Sequence, residues 1–218
     1  FGGRFCTTPK GTAALQALTR ELDTQPDDLN VQVANIDIVN AVALPGGNII
    51  LFNGMVDAAQ SPDELAGVLA HEMGHVRRRH VMQSLLRQLG LSVLLSGANG
   101  NVGGALNTVL ALSYGRDAER EADRYSIDAM RTADISPKDT AGFFARMAKT
   151  EKQMGGDSAN SILGYISSHP LSAERRDMFL ESRVKGKAYR PALTPDQWKS
   201  LKSMCSDDKS VKGDGSLF

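Results

Sequence analysis

The sequence predicts an α+β domain in which a small β-sheet is followed by a predominantly helical remainder. Three observations support this prediction: one helix-like segment precedes residue 30, short segments rich in Val, Ile and Leu occupy positions 31–52, and four helix-like segments follow. With 218 residues, 41% of them hydrophobic and 23% charged, the chain can bury a core. We expect a single domain over residues 1–205 and a polar C-terminal tail over residues 206–218.

The first elements are predicted from the spacing of apolar residues. Helical spacing indicates a helix over Thr12–Leu22, which ends before Pro26. Near-alternation over Val31–Val39 indicates a strand with a bulge. Ala41–Leu44 and Asn48–Phe52 are extended segments on either side of a Pro-Gly-Gly turn. We therefore expect a small sheet between residues 31 and 52.

The helical part of the chain begins with a strong N-terminal signal. Ser61 is a preferred N-cap residue, Pro62 suits the first helical position, and Glu64 completes a capping-box pattern. We expect this helix to run past Arg79. Further helices are predicted over Asn107–Met130, from Pro137 to near Met154, and from near Ser172 to Arg183.

Charge and hydropathy argue against nucleic-acid binding and against a membrane-spanning helix. The 25 Lys and Arg residues balance 25 Asp and Glu residues, so we expect no nucleic-acid binding. No run reaches the roughly 18 apolar residues of a membrane-spanning helix. The Gly-interrupted apolar stretch Val81–Leu112 is expected to pack as core rather than to touch a membrane or a partner. Because the chain begins at Phe1, we expect any signal peptide or anchor to have been removed.

The two cysteines, Cys6 and Cys205, are too few for a disulfide scaffold and too far apart for a Cys-based zinc site. The sequence leaves two alternatives open. Either one bridge joins the two ends of the chain, or both residues are inert thiols.

The segment His71-Glu72-Met73-Gly74-His75 lies inside the predicted helix and has the H-E-x-x-H pattern of zinc peptidases. Residues four apart differ by about 40° around a helix, so both imidazoles can reach one metal ion. Glu72 is near enough to contact a water on that metal. Apolar residues beside the motif indicate a buried face, where a His pair without a partner would be costly. We therefore interpret the segment as two ligands and a base.

A catalytic zinc needs a third protein ligand. The metzincin position, six residues after His75, is Val81, so that arrangement is excluded. No Asp or Glu lies between Glu72 and Asp117, which removes the position used by thermolysin-type enzymes. The third ligand is therefore expected either farther along the chain or in an acidic cluster. This cluster consists of Asp117, Glu119, Glu121 and Asp123.

Two interpretations of the acidic cluster remain open. Glu119 and Asp123 are four residues apart on a face with small and apolar residues, so Glu119 can bind the metal while Asp123 accepts an N–H from a ligand histidine. The interspersed Arg116, Arg120 and Arg124 are also typical of a solvated, ion-paired helix face. The spacing favours Glu119 as the ligand.

Four ordered motifs carry a family resemblance. They are Asn40-Ala41-x-Ala43-Leu44-Pro45-Gly46-Gly47, Glu64-Leu65-Ala66-x-Val68-Leu69-Ala70-His71-Glu72-x-Gly74-His75-Val76, Arg116-x-x-Glu119-x-x-Ala122-Asp123, and His169-Pro170 with Arg175. Together they make the chain resemble the minigluzincin zinc metallopeptidases, the family that includes the CAAX prenyl protease, HtpX and soluble bacterial periplasmic enzymes. The match spans Asn40–Arg176. It implies a zincin-like metallopeptidase domain whose sheet has an edge strand bordering the active-site cleft.

The resemblance also implies a role for each matched polar residue. It implies one Zn²⁺ per chain bound by His71, His75 and Glu119, Glu72 as catalytic base, Asp123 as a supporting residue, and catalytic roles for His169 and Arg175 near the open coordination position. In similar members, the histidine at the position of His169 can act as a removable plug. His80 matches no ligand position, and we expect it at a solvated helix end.

The function implied by the resemblance is zinc-dependent endoproteolysis of unfolded or misassembled proteins, in quality control of the bacterial periplasm or cell envelope. Asn48–Phe52, as an edge strand, is expected to pair with an extended polypeptide substrate. The alternative is a self-inhibited, chaperone-like binding module with a plugged zinc site. Peripheral contact with a membrane or with outer-membrane assembly is a further expectation.

Overall fold

The computed structural model describes residues 5–87, 114–152 and 173–211, together with Tyr165 and His169. The strands are β1 (Phe5–Cys6), β2 (Asn30–Ala34), β3 (Ala41–Leu44) and β4 (Asn48–Phe52). The helices are α1 (Pro9–Leu22), α2 (Asn53–Ala58), α3 (Pro62–Arg77), α4 (Arg116–Thr132), α5 (Pro137–Lys152), α6 (Ala173–Glu181), α7 (Pro195–Lys202) and α8 (Met204–Asp207). The predicted α+β class is confirmed. Most of Val81–Leu112 and the start of the helix predicted from Asn107 lie outside the described residues.

The four strands form one mixed sheet in the order β1-β2-β4-β3. β2 pairs with β4 in parallel, with Val31 opposite Ile49, and the other two pairings are antiparallel. The prediction of a strand as far as Val39 is wrong, because β2 ends at Ala34. There the chain turns, and the amide of Ile36 donates to the carbonyl of Ala34 at 2.8 Å.

Asn48–Phe52 is not an edge strand, so that prediction is also wrong. These residues form β4, which lies between β2 and β3 and hydrogen-bonds to both. The edge strand that packs against α3 is β3. Both segments are short and buried, and their sequences therefore carry no signal for strand order. The backbone that borders the site is that of Ala41–Leu44.

α3 carries the H-E-x-x-H segment and is fixed at both ends. The hydroxyl of Ser61 accepts the amide of Glu64 at 3.2 Å, which confirms the predicted N-cap. Glu64 also accepts two hydrogen bonds from Arg146 on α5, both at 2.7 Å. The helix ends at Arg77 and not beyond Arg79, because Arg79 has a φ of 58° and breaks the regular helix. Residues 80–87 are helical again.

Four short elements were not predicted: β1, α2, α7 and α8, each of eight residues or fewer. α7 had a sequence signal, since Thr194 and Gln197 form a capping box. α1 begins at Pro9, before the predicted Thr12, because Thr8 accepts the amide of Gly11 at 3.3 Å. Short elements depend on their packing partners more than on their own sequence.

The core lies where the sheet and α1 meet α3, α4 and α5. Buried residues from each of these elements share one apolar cluster, which includes Leu18, Leu51, Leu69, Met130 and Phe144. Within the described ranges, every helix is too short or too polar to cross a bilayer.

α3 and α4 approach each other at backbone distance. A Cβ atom on Gly74 would lie 2.8 Å from the Cα and 3.1 Å from the carbonyl oxygen of Ala122 on α4. One turn or more away, the hydroxyl of Ser126 donates to the carbonyl of Gly67 at 2.8 Å. Because a larger residue at Gly74 would push the helices apart, this glycine sets how far the side chains of α4 reach toward α3.

Cys6 and Cys205 form a disulfide between segments 199 residues apart in sequence. Both cysteines are buried, and their Cα atoms are 4.9 Å apart. Beside the bridge, the carboxylate of Asp208 accepts the amide of Thr7 at 2.5 Å. Of the two alternatives that the sequence left open, the structure has the bridge.

The first prediction concerns this bridge. The double variant Cys6→Ala/Cys205→Ala should lose about 2–5 kcal/mol of unfolding free energy, because the unfolded chain is no longer cross-linked. Chemical denaturation with and without a reducing agent measures the loss. Reduction should destabilise the wild-type protein to a similar degree and leave the variant unchanged. Equal stability of wild type and variant under oxidising conditions would contradict the prediction.

The second prediction compares two glycines in helices. Gly74→Ala should destabilise the protein by about 1–3 kcal/mol and weaken metal binding, because the added methyl group meets the backbone of Ala122. Gly142→Ala is the matched control. Its Cβ would meet only the end of the Arg146 side chain at 3.9 Å, so it should stabilise α5 by about 0.5–1 kcal/mol. Thermal melting and metal titration of both variants test this. Similar behaviour of the two variants would show that the close helix contact is not needed.

Candidate metal centre

Four buried side chains converge between α3 and α4. Ring nitrogens of His71, His75 and His169 and a carboxylate oxygen of Glu119 all lie within 4.8 Å of one another. His71 Nε2 is 3.0 Å from His75 Nε2 and 3.2 Å from His169 Nδ1. Glu119 Oε1 is 3.4 Å from His75 Nε2 and 3.1 Å from His169 Nδ1.

The fold brings these residues together from three segments. His71 and His75 lie one turn apart on α3, and Glu119 lies in the first turn of α4. The amide of His169 donates to the carbonyl of Tyr165 at 2.8 Å, and the two rings stack with centroids 4.7 Å apart. The close contact of α3 with α4 therefore places the carboxylate, and Tyr165 places the third imidazole.

A buried ion pair supports His71. Asp123 Oδ1 lies 2.8 Å from His71 Nδ1. Arg175 donates to the two oxygens of Asp123 at 2.8 and 2.7 Å, and its Nη1 is 3.1 Å from Glu119 Oε2. Its guanidinium also lies over the ring of Phe144, 4.3 Å from the centroid. Since Asp123 accepts a hydrogen bond from the Nδ1–H of His71, the Nε2 lone pair of His71 faces the group of four residues.

His75 is held by residues that the sequence analysis did not place in the site. The ring of Tyr114 stacks on it with centroids 3.9 Å apart. His80 Nδ1 lies 3.0 Å from His75 Nδ1, and His80 Nε2 lies 3.3 Å from Glu121 Oε2. The expectation that His80 is solvated is wrong, because its exposed fraction is 3%. The break in the helix at Arg79 turns His80 inward.

Glu72 is fully buried beside the group. Its Oε1 lies 3.4 Å from His169 Nε2, and the backbone of Ala43 on β3 is close by. Among the described residues, neither oxygen of Glu72 accepts a hydrogen bond, whereas Glu119 Oε2 accepts none but has the Arg175 guanidinium 3.1 Å away. Buried carboxylate oxygens without partners are costly. The free lone pairs of Glu72 are therefore compatible with a bound water or cation beside them.

Burial and neighbouring charges shift the titration of the site. Burial raises the pKa of Glu72. Burial acts in the same direction on Glu119, but His169 and His71 outweigh it and hold the pKa of Glu119 far below its usual value. Burial lowers the pKa of His75 well below its usual value and also lowers the pKa of His80. For His169, Glu72 and Glu119 outweigh burial and raise the pKa. A neutral His75 and an ionised Glu119 are the forms that bind metal ions.

The separations within the group fit a zinc ion. Atoms bonded to Zn²⁺ at about 2.0–2.1 Å in a tetrahedron lie about 3.3 Å apart. Two nitrogen–nitrogen and three nitrogen–oxygen separations within the group are 3.0–3.5 Å, and all its ligand atoms lie within 4.8 Å of one another. Two imidazoles and one carboxylate form a common ligand set of catalytic zinc. His169 Nδ1 lies where a fourth ligand would be.

Comparison with known proteins identifies the family. The family model described as Peptidase family M48 matches residues 10–181. The chain belongs to peptidase family M48. The resemblance to zinc metallopeptidases that the motifs indicated is therefore confirmed, and M48 membership agrees with the zinc-compatible group.

The M48 chain is similar to several curated proteins. It is 34% identical over 175 residues to Metalloprotease LoiP of Escherichia coli (strain K12), covering 75% of this chain and 66% of that protein. For the Putative beta-barrel assembly-enhancing protease of Vibrio cholerae, the identity is 32% over 170 residues, with 70% and 34% covered. For Mitochondrial metalloendopeptidase OMA1 of Arabidopsis thaliana, it is 30% over 163 residues, with 72% and 32% covered. The chain thus spans less than two thirds of the length of each of these three relatives.

The structure brings all the predicted site residues into one cluster. They are His71, Glu72, His75, Glu119, Asp123, His169 and Arg175. The site contacts of four further residues were not predicted from the sequence: Tyr114, Tyr165, His80 and Glu121. Tyr114 had a signal, since it lies on the inward face of the predicted helix. His80 had none, because the helix was expected to continue past Arg79.

The third prediction concerns Asp123. Asp123→Asn should weaken zinc binding on the order of 10- to 100-fold, because His71 loses its charged acceptor and Arg175 loses a buried partner. Zinc affinity is measured by competition with a chelator. Asp128→Asn is the matched control, since Asp128 lies on the same helix with its side chain 69% exposed. Loss of affinity in both variants, or in neither, would contradict the role of Asp123.

Proposed function

We propose that this chain is the catalytic part of a zinc-dependent metalloendopeptidase that hydrolyses peptide bonds of unfolded or misassembled proteins. The observation that carries the proposal is the buried carboxylate of Glu72. It lies beside the group of His71, His75 and Glu119, and its oxygens lack hydrogen-bond partners among the described residues. A purely structural zinc site has no use for such a carboxylate. Membership of peptidase family M48 supports the same function.

In the proposed site, His71, His75 and Glu119 hold one Zn²⁺ per chain. When bound, the ion supplies a Lewis acid that lowers the pKa of a bound water to about 7 and polarises a peptide carbonyl. The two histidines present their Nε2 atoms, and Glu119 presents a carboxylate that its neighbours keep ionised. Asp123 holds the tautomer of His71.

Glu72 is the proposed general base. An oxygen of its carboxylate accepts a proton from the attacking water, and the same oxygen then returns the proton to the nitrogen of the leaving amine. Burial raises the pKa of Glu72 toward the range in which a carboxylate exchanges protons efficiently near neutral pH.

Arg175 and His169 were expected to assist catalysis directly. The guanidinium of Arg175 is engaged by Asp123 and Glu119, which supports a positioning role behind the ligands. His169 lies between Glu119 and Glu72, at 3.1 and 3.4 Å. If the His169 side chain moves aside, it can contact the carbonyl oxygen of a bound substrate. If it keeps this position, it blocks access of the substrate to the metal site.

The proposed substrate is a polypeptide in extended form. β3 is an edge strand, so the outer hydrogen-bonding groups of Ala41–Leu44 have no neighbouring strand in the sheet as described. Glu72 lies near Ala43 of this strand. A substrate backbone paired with β3 would pass the base, and main-chain pairing tolerates many sequences. Unfolded polypeptides meet this requirement better than folded ones.

One observation favours a second candidate function. His169 Nδ1 lies 3.2 Å from His71 Nε2 in the same group and could supply a fourth ligand, and four protein ligands are typical of a closed zinc site. A chain locked in this arrangement would be a self-inhibited, chaperone-like binding module. Displacement of His169 is the step that separates the enzyme from this alternative.

The proposed location is the bacterial periplasm or cell envelope. The Cys6–Cys205 disulfide is typical of an oxidising compartment. LoiP and the beta-barrel assembly-enhancing protease are bacterial relatives, and the name of the second refers to beta-barrel assembly. Association with outer-membrane assembly or with a membrane surface is part of the same proposal. The similarity to mitochondrial OMA1 shows that the family also serves another compartment.

The fourth prediction tests the enzyme against the binding module. Purified wild-type protein should contain one zinc per chain and cleave an unfolded substrate such as casein. Glu72→Gln should keep the zinc and lose cleavage by several orders of magnitude, because the base is gone. His169→Ala should cleave faster than wild type, because the fourth position is open. The assay measures zinc by mass spectrometry and cleavage by release of labelled peptides.

The double variant Glu72→Gln/His169→Ala is the control and should be inactive. Casein binding without cleavage by both wild type and His169→Ala would reject the enzyme and favour the binding module. Absence of stoichiometric zinc from the wild-type protein would reject both functions.

A further inference from the structure

A series of hydrogen-bonded side chains, His75–His80–Glu121, lies on the side of the proposed metal ligand His75 that faces away from the site. His75 Nδ1 faces His80 Nδ1 at 3.0 Å, and His80 Nε2 faces the Oε2 of Glu121 at 3.3 Å. The rings of the two histidines are steeply inclined, with an interplanar angle of 71°. His80 is 3% exposed, whereas the carboxylate of Glu121 is half exposed. This hydrogen-bonded series therefore connects the buried ligand histidine to the protein surface.

The nitrogen of His75 that faces the metal site determines which ring nitrogen of His75 and of His80 carries a proton. His75 Nε2 lies in the group of four ligand atoms, so it must present a lone pair and the ring proton must be on Nδ1. Two facing nitrogens at 3.0 Å need one donor and one acceptor. His80 Nδ1 is therefore the acceptor, its proton is on Nε2, and that N–H donates to Glu121. A single arrangement satisfies all three residues.

The break in the helix after α3 is what makes the contact possible. A continuous helix would place His80 about 140° around the axis from His75, on another face. Instead Arg79 adopts a φ of 58°, which residues other than glycine rarely do. The amide of Arg79 donates to the carbonyl of Val76 at 3.0 Å, and Gln83 bonds back to Arg79 at 3.0 Å. The turn is thus closed by hydrogen bonds on both sides and directs His80 toward His75.

We propose that His80 is a positioning residue that holds His75 in its metal-binding tautomer and orientation, with Glu121 as the outer acceptor. This inference deepens the proposed function and rests on the proposed zinc site. In the described part of the chain, Nδ1 of His75 has no carboxylate partner like the one His71 has in Asp123, and the His80–Glu121 pair fills that place. Tyr114 holds the plane of the His75 ring, and His80 sets which nitrogen points to the metal.

His80 is not itself in the ligand group. The atoms that lie within 4.8 Å of one another belong to His71, His75, Glu119 and His169. Both nitrogens of His80 are used by His75 and Glu121. Without His80, the Nδ1–H of His75 would be buried without an acceptor, and the ring could turn to present the wrong nitrogen. The contribution of His80 should therefore appear in metal affinity.

The fifth prediction is tested with variants of His80. His80→Ala should weaken Zn²⁺ binding on the order of 10- to 100-fold, the range typical for loss of a partner of a ligand histidine. His80→Asn should recover most of this loss, because its amide oxygen can accept from His75 where Nδ1 did. Chelator competition measures the zinc affinity. The visible spectrum of the Co²⁺-loaded protein reports the ligand geometry, and the spectrum should change for Ala but not for Asn.

Val81→Ala is the matched control. Val81 is buried next to His80 but is apolar, so this variant should melt at a lower temperature and keep wild-type zinc affinity. Wild-type affinity of His80→Ala would overturn the proposal. So would equal losses in His80→Ala, His80→Asn and Val81→Ala, which would indicate a packing effect alone.

The test of the role of His80 can fail or succeed independently of the test of peptidase activity. A wild-type protein that binds zinc but cleaves no casein would reject the peptidase and leave the role of His80 supported by its own affinity data. A wild-type protein that cleaves casein while His80→Ala keeps full zinc affinity would do the reverse. Failure of the wild-type protein to bind zinc would overturn both.

Discussion

The backbone contact between α3 and α4 is the constraint on which the site depends. Gly74 lies between the two imidazole positions of the H-E-x-x-H segment, at the point where Ala122 of α4 comes closest. This approach allows Glu119 and Asp123 to reach His71 and His75 over short side chains. One face of α4 therefore supplies both a ligand and the support for another ligand. The four-residue spacings on α3 and α4 produce a metal-binding group only because the two helices are in contact.

The buried charges of the site are unbalanced without a cation. Glu72, Glu119 and Asp123 are carboxylates, and Arg175 is the guanidinium that faces them in the described part of the site. Three ionised carboxylates facing one guanidinium give a negative surplus in a desolvated space, which the raised pKa of His169 offsets only in part. Such a surplus is costly unless a cation enters or a carboxylate takes up a proton. A divalent ion would offset this surplus. The pKa of Glu72 is raised mainly by burial, and the charge of Glu119 adds to the shift.

Ion pairs at both ends of α3 hold the helix that carries the chemistry. At its start, Glu64 is paired with Arg146 of α5. At its end, Arg77 donates to Asp23, which also accepts the hydroxyl of Tyr125 on α4 at 2.6 Å. These partly buried pairs are distant from the ligands, yet they join α3 to three other parts of the fold. Rigid support of this kind is what a metal site needs if its ligands are to hold their geometry.

The sequence by itself determined the local parts of this protein: the capped helix with its two histidines and Glu72, the α+β class, and the pairing of Glu119 with Asp123 on one helix face. These follow from spacing and capping, which act over a few residues. The tertiary structure alone decided that β3 and not β4 is the edge strand, that Cys6 meets Cys205, and that His80 lies behind His75. Strand order and disulfide pairing are set by packing between segments that are distant in sequence. The inward turn of His80 is set by Arg79, whose positive φ cannot be predicted from the presence of an arginine at that position.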